Sequence, residues 1–281
     1  MESPEIIQSI AELTDHLQPI PQIATKVIAT VGNSDTSCEK LSAVISKDPA
    51  LTSKILSLSN TPYYKRVQSI TSLNTAVMIL GFGTIQNLVL TISVGLMFGG
   101  GITEEILLKI WKHSVATGLI SELLGRRLDL SDQEEYYISG LLHDVGKLVF
   151  CKSFPEKFKE VLKRSQLDGI PCFESERIQF GFDHTQLGEA VLQKWNLPEI
   201  YRAPVASHHQ LDCLESSDIL CPLVHVADSI AHEIVRFEGQ PKWLPDPVAM
   251  GRLQLDEEDI TEIISENSDA VLENLESIVR Y

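Results

Sequence analysis

The sequence is short of positive charge. Lys and Arg number 23 against 39 Asp and Glu, a formal net charge of −16 over 281 residues. Attraction to a phosphate backbone needs the opposite balance, and no basic stripe interleaved with aromatics is present, so nucleic acid is not an expected partner. Long hydrophobic runs are missing as well. The most apolar stretch, Leu88 to Phe98, is about half of the roughly 20 residues that a membrane span needs. It reads as a buried helix, and no membrane partner is expected. None of the five cysteines (Cys38, Cys151, Cys172, Cys213, Cys221) forms a CxxC pair, and their number is odd. Reduced thiols follow more naturally than a disulfide framework. The first residues, Met1 to Glu5, have neither the basic nor the apolar region of a signal peptide, so a cytoplasmic location is expected. The apolar fraction of 43% is too high for a disordered chain and sufficient for one large core or two smaller ones.

Apolar residues recur at helical spacing almost throughout. Ile6, Ile10, Leu13 and Leu17 form one stripe, and Leu73, Val77 and Leu80 another. Ser72 is placed to cap the second helix and Gly81 to end it. Asp48-Pro49 reads as a helix start, with a capping carboxylate and then proline at the first helical position. Ser131 and Glu134 have capping-box spacing. No segment alternates convincingly, so the fold class is all-α. Gly99-Gly100-Gly101, with Thr103 capping the next helix, divides an N-terminal half (1–100) from a middle region (101–240). Gly239 to Pro247, with Pro241, Pro245 and Pro247, divides off a C-terminal extension (241–281). Residues 256–281 carry nine acidic side chains and one arginine, with Ile260, Ile263, Ile264, Val271, Leu272, Leu275, Ile278 and Val279 at helical spacing. An amphipathic helix packed on the body is the reading preferred over an acidic partner-binding tail.

The middle region concentrates histidine. Seven of the eight lie between positions 113 and 232. Taken singly, each is an ordinary core or surface residue; the set reads as a site. His113, His143, His184, His208 and His209, with Asp144 and Asp228, supply the imidazole and carboxylate donors that suit iron, manganese, zinc, cobalt or nickel. His143 adjoins Asp144, and His208 adjoins His209. Neighbours on a helix point about 100° apart, which suits two ions side by side with one carboxylate bridging them. A pair of divalent ions with two carboxylates retains positive charge that attracts phosphate, and it lowers the pKa of a water between the ions. Lys147, three residues after Asp144, either contacts a phosphate oxygen or is a solvated charge at a helix end. His225 either orients a ligand or is simply packed, and His16 reads as solvent-facing.

Gly140-Leu-Leu-His-Asp-Val-Gly-Lys147 resembles the HD signature of metal-dependent phosphohydrolases. Leu17-Gln-Pro-Ile-Pro-Gln22, Lys47-Asp-Pro-Ala-Leu51, Ser59-Asn60-Thr-Pro-Tyr-Tyr64, Ala76-Val-Met-Ile-Leu-Gly81, Trp111-Lys-His-Ser114 and Trp195-Asn-Leu-Pro198 resemble the HDOD family, HD-related output domains of bacterial signalling proteins. The resemblance covers roughly residues 10–235. It implies an N-terminal helical bundle packed on an HD-type bundle, and a role in signalling or regulation. Many HDOD proteins lack part of the HD metal set; this chain keeps every candidate. Position by position, the resemblance assigns His113, His143, Asp144 and Asp228 to one metal. It assigns a bridging Asp144 with His184, His208 and His209 to the other. A glutamate that some relatives use for a third metal is replaced by Lys109, so two divalent ions are expected. The Gly-Tyr-Pro segment of the related cyclic-di-GMP phosphodiesterases does not follow His209, which disfavours that substrate.

Two functions stay open on this reading. One is a regulatory module that works through a signalling protein partner or senses a nucleotide or phosphate ligand, with the N-terminal half docking the partner. The other is an active phosphohydrolase on a nucleotide or cyclic dinucleotide, with Asp144 and Lys147 as its catalytic residues.

Overall fold

The structure, a computed structural model, describes residues 4–61, 64, 69–99, 105–131, 133–211, 218–235 and 244–279. All regular structure among them is helical. The chain divides into two compact units. The larger is Met1–Leu17 with Ile102–Ser268, and the smaller is Gln18–Gly101 with Asp269–Tyr281.

Helix α1 (Pro4–Asp15) opens the larger unit. Its Ile10 and Thr14 are buried, and Lys194 donates to the Thr14 carbonyl. His16, just beyond the helix, is exposed. The smaller unit contains α2 (Gln22–Val31), α3 (Cys38–Ile45), α4 (Pro49–Ser59), α5 (Leu73–Leu80) and α6 (Phe82–Gly99). The start signals work locally. Asp48 accepts from the Leu51 N–H ahead of Pro49, and Ser72 accepts from the Thr75 N–H. Gly81 ends α5 at a φ of 87°, the left-handed region that a side chain disfavours. Asn60 donates to the carbonyls of Leu56 and Ile70 and accepts from the Ile70 N–H, fastening the end of α4 to the segment before α5. In α6, Ile85, Leu88, Val89, Leu90 and Val94 are buried, as expected for the apolar run. Among the described residues no single helix is long and apolar enough to cross a membrane; α5 and α6 meet that test only together and bend by 117°.

The larger unit continues with α7 (Glu105–Arg127), α8 (Gln133–Leu142), α9 (Val145–Ser153), α10 (Pro155–Asp168) and α11 (Cys172–Phe180). Then follow α12 (His184–Lys194), α13 (Glu199–Ser207), α14 (Leu220–Val235) and α15 (Pro247–Leu253). The long α7 is buried along most of its length and packs against α8 and α14. The chain closes with α16 (Glu257–Val279), which begins in the larger unit and ends in the smaller. Its acidic face meets Arg127 of α7 through Asp259, Glu262 and Glu266, while Ile263, Val271, Leu275 and Ile278 are buried. The packed amphipathic reading of the tail therefore holds for these residues.

Cys38, Cys151, Cys172 and Cys221 are free thiols. Cys213, Gly100, Gly101, Thr103, residues 239–243 of the proline-rich break and the side chain of Glu134 lie outside the described residues.

Candidate metal centre

All seven residues singled out as metal ligands converge inside the larger unit, carried by five separate stretches of chain. His113 comes from the middle of α7 and Asp228 from the middle of α14. The others stand at helix ends. His143 and Asp144 form the turn between α8 and α9, His184 is the first residue of α12, and His208 and His209 follow α13. The adjacent pairs thus do not project from helix interiors, as the spacing predicts; the break between helices aims each pair inward. Gly146 makes this approach feasible. A Cβ there would lie 2.1 Å from the His184 carbonyl oxygen, so only glycine lets α9 come this close to the start of α12.

Asp144 lies at the middle of the cluster. One oxygen, Oδ1, is 3.3 Å from His184 Nε2 and 3.9 Å from His208 Nε2. The other, Oδ2, is 3.3 Å from His143 Nε2 and 3.8 Å from His113 Nε2. Asp228 Oδ1 lies 2.8 Å from His113 Nε2 and 3.5 Å from His143 Nε2. The donor atoms of His113, His143 and Asp228 fall within 4.8 Å of one another, and so do those of His184, His208 and His209. Asp144 faces both triads.

The hydrogen bonds around the rings decide what this arrangement can hold. His143 Nδ1 faces the Gly140 carbonyl at 2.7 Å, and His184 Nδ1 faces Glu176 Oε2 at 2.6 Å. His208 Nδ1 faces the carbonyls of Pro204 and Val205, both at 3.1 Å. A ring nitrogen that faces an acceptor carries the proton, so in the neutral rings Nε2 presents a lone pair. Those lone pairs point inward. His184 Nε2 and His208 Nε2 are 3.4 Å apart, while buried His143 Nε2 and Asp144 Oδ1 make no hydrogen bond. Lone pairs turned on one another and on carboxylates repel unless a cation lies between them. The donor set therefore fits divalent metal, with the outer ring nitrogens held as they commonly are in histidine sites.

The electrostatics agree. Burial disfavours charge on His143, yet Asp144 and Asp228 outweigh it and lift its pKa to about 10. The carboxylates attract a cation strongly enough to take up a proton where none better is present. Burial, then the neighbouring His143 and His184, push His208 down to about 3. Burial opposes the Asp144 carboxylate, but His143 and Lys147 hold it well below the usual range.

Lys147 is 9% exposed, and its Nζ bonds Asp144 Oδ2 at 2.8 Å. It is not the solvated helix-end charge that spacing also allowed. His225 contributes no atom to the cluster. Its Nδ1 donates to the His208 carbonyl at 2.8 Å, and its Nε2 accepts from the Asp246 N–H at 3.0 Å, so it braces the backbone that carries His208. Two residues escape the sequence reading. Fully buried Glu176 accepts from both the backbone N–H and Nδ1 of His184, at 2.7 and 2.6 Å. His232, one turn after Asp228, lies 3.6 Å from its Oδ1 and packs its ring 4.3 Å from that of His113. The spacing of four from Asp228 was the available signal for His232. A cavity opens off the centre, with Lys147 and His232 on its lining.

Comparison with known proteins follows the same lines. The HDOD domain family matches residues 17–211. An uncharacterised protein of Treponema pallidum (strain Nichols) is 28% identical over 207 residues, which are 72% of this chain and 40% of that protein; the chain spans about two-fifths of that relative's length. Among solved structures, an HDOD domain protein from Geobacter sulfurreducens superposes with a TM-score of 0.79 at 20% identity, covering 97% of this chain and 98% of that one. A candidate phosphohydrolase from Shewanella amazonensis SB2B gives 0.77 at 20% identity, covering 99% of each chain. A candidate signal transduction protein from Marinobacter aquaeolei VT8 gives 0.77 at 20% identity, covering 93% of this chain and 60% of that one. At such identities the likeness extends to the fold.

Proposed function

The chain belongs to the HDOD family, and from that premise we propose that it is a bacterial regulatory protein with a dinuclear metal centre that senses a phosphate-bearing ligand and answers to a signalling partner. The observation that carries this reading is the inward convergence of imidazole lone pairs on two buried carboxylates. His113, His143 and Asp228 would hold one ion, and His184, His208 and His209 the other, with Asp144 shared. When bound, the ions supply the positive charge that an acidic chain needs to hold phosphate. The chain's own residues do the rest. Glu176 and the Gly140 carbonyl fix ring orientation, His225 braces the His208 backbone, and burial keeps bulk water from the donor atoms other than those of half-buried His209. The smaller unit, free of these ligands, is the candidate docking surface for the partner.

A second reading is metal-dependent phosphoester hydrolysis. It is favoured by Lys147, a cation held against Asp144 on the cavity lining, where it can steady a phosphate oxygen. The candidate phosphohydrolase from Shewanella amazonensis with the same fold is consistent with it.

Elemental analysis of protein purified without chelator tests the centre; two ions per chain are expected, and metal-free wild-type protein would sink both readings. Turnover of a broad phosphoester panel by the loaded protein, abolished in Asp144→Ala, would replace the sensing form with the hydrolytic one.

A further inference from the structure

The cavity beside the centre has features that metal binding leaves unused. Its volume is about 300 Å³. Asp144, Asp228 and His113 stand at its floor, each no more than 1% exposed. Above them the wall is apolar, with Ile106 and Ile110 from α7, Leu162 from α10 and Ile170 after it. At a rise of about 1.5 Å per residue, Ile106 stands roughly 10 Å along α7 from His113. The space is thus longer than inorganic phosphate requires.

Half-buried Lys109 and exposed Lys163 belong to the same lining and mark its mouth. Lys109 also pairs with Glu105 at 2.6 Å. Although the chain carries a net charge of −16, the carboxylates on the lining are the two at the floor, and the cations on it are Lys147, which bonds Asp144, and these two lysines. Small-molecule sites of this kind run from roughly 300 to 1,000 Å³ and combine apolar walls with a few placed polar groups. This one is at the small end, which suits one nucleotide and not two joined together.

We propose that the cavity binds an organic phosphate the size of a mononucleotide, with its phosphate at the metal floor, its body along Ile106, Ile110, Leu162 and Ile170, and Lys163 and Lys109 contacting it at the mouth. The assignment rests on the metal reading above. It adds the size and shape of the ligand and names Leu162 and Lys163 as residues that select it.

Calorimetry on the full, metal-loaded chain tests this with inorganic phosphate, adenosine and guanosine monophosphates, and a cyclic dinucleotide. Burial of the apolar body is expected to make at least one monophosphate bind about tenfold or more tighter than inorganic phosphate, with the cyclic dinucleotide no tighter than phosphate. Leu162→Trp fills the wall and Lys163→Glu reverses the charge at the mouth. Each is expected to weaken the monophosphate about tenfold while inorganic phosphate affinity and metal content stay at wild-type values. Monophosphates bound no tighter than phosphate, a preference for the cyclic dinucleotide, or monophosphate binding untouched by both variants would overturn the inference. Metal content is read first, so failure of the centre itself is separate: wild-type chain without metal defeats the proposed function, whereas loaded chain that ignores the monophosphates defeats only this assignment.

Discussion

Single side chains set the chemistry of the centre, and Asp144 does most of it. Its two oxygens face separate groups of imidazoles while Oδ2 also receives Lys147. Asp144→Asn is therefore expected to lose metal at both positions, seen as fewer than one ion per chain. In the metal-free protein it should also cost about 3 kcal/mol of stability, because a buried lysine is left without its counter-charge; denaturant unfolding measures this. Glu176 acts one step back. It takes both N–H groups of His184, so Glu176→Gln should leave the fold intact and weaken metal binding by about 10- to 100-fold, read by competition with a fluorescent chelator. Unchanged affinity would mean that the His184 orientation is fixed by packing alone. The candidate donors Asp144 and His184 could be picked out in the sequence because metal-ligand chemistry restricts the residue types. Glu176 could not. It lies eight residues before His184 across the turn between α11 and α12, and no helical or strand period links those positions.

Helix ends, rather than helix faces, carry most of the candidate ligands. Five of the seven lie at a terminus, where the chain changes direction and side chains from different helices can meet. The start signals were legible because they are local: Asp48 with Pro49, and Ser72 with Thr75, act within one turn. Asp48→Ala should accordingly cost about 1 kcal/mol in the smaller unit, measured by chemical denaturation. The turn at His143-Asp144 was not legible, since it depends on α12 arriving at α9, a contact between distant parts of the chain. Gly146 is the residue that allows it. Gly146→Ala puts a methyl 2.1 Å from the His184 carbonyl oxygen, and since that oxygen belongs to backbone, α12 itself must move. A loss of about 3 kcal/mol or more, with weakened metal binding, is expected. A variant as stable as wild type would show that α9 and α12 lie farther apart than described.

At the scale of the whole molecule, the tryptophans separate the two units. The described tryptophans, Trp111 and Trp195, fall within Ile102–Ser268, and the sequence of the smaller unit contains none. Tryptophan fluorescence therefore follows the unit that carries the metal donors, while circular dichroism at helical wavelengths follows both. Metal that binds only the folded larger unit stabilises it by mass action, by about 4 kcal/mol when free metal is 1,000 times its Kd. For a unit of this size each kcal/mol raises the midpoint by about 2–4 °C. Adding metal to chelator-stripped protein should thus move the fluorescence transition up by roughly 10 °C. If the units unfold independently, the circular dichroism curve should split, with one component following fluorescence and the other staying where the stripped protein melts. A shift in both components together would mean that the units unfold as one cooperative body, so that the centre governs the stability of the smaller unit too. In that case the proposed ligand would have a direct thermodynamic route to the proposed partner, because anything that stabilises the larger unit also raises the population of the folded smaller one.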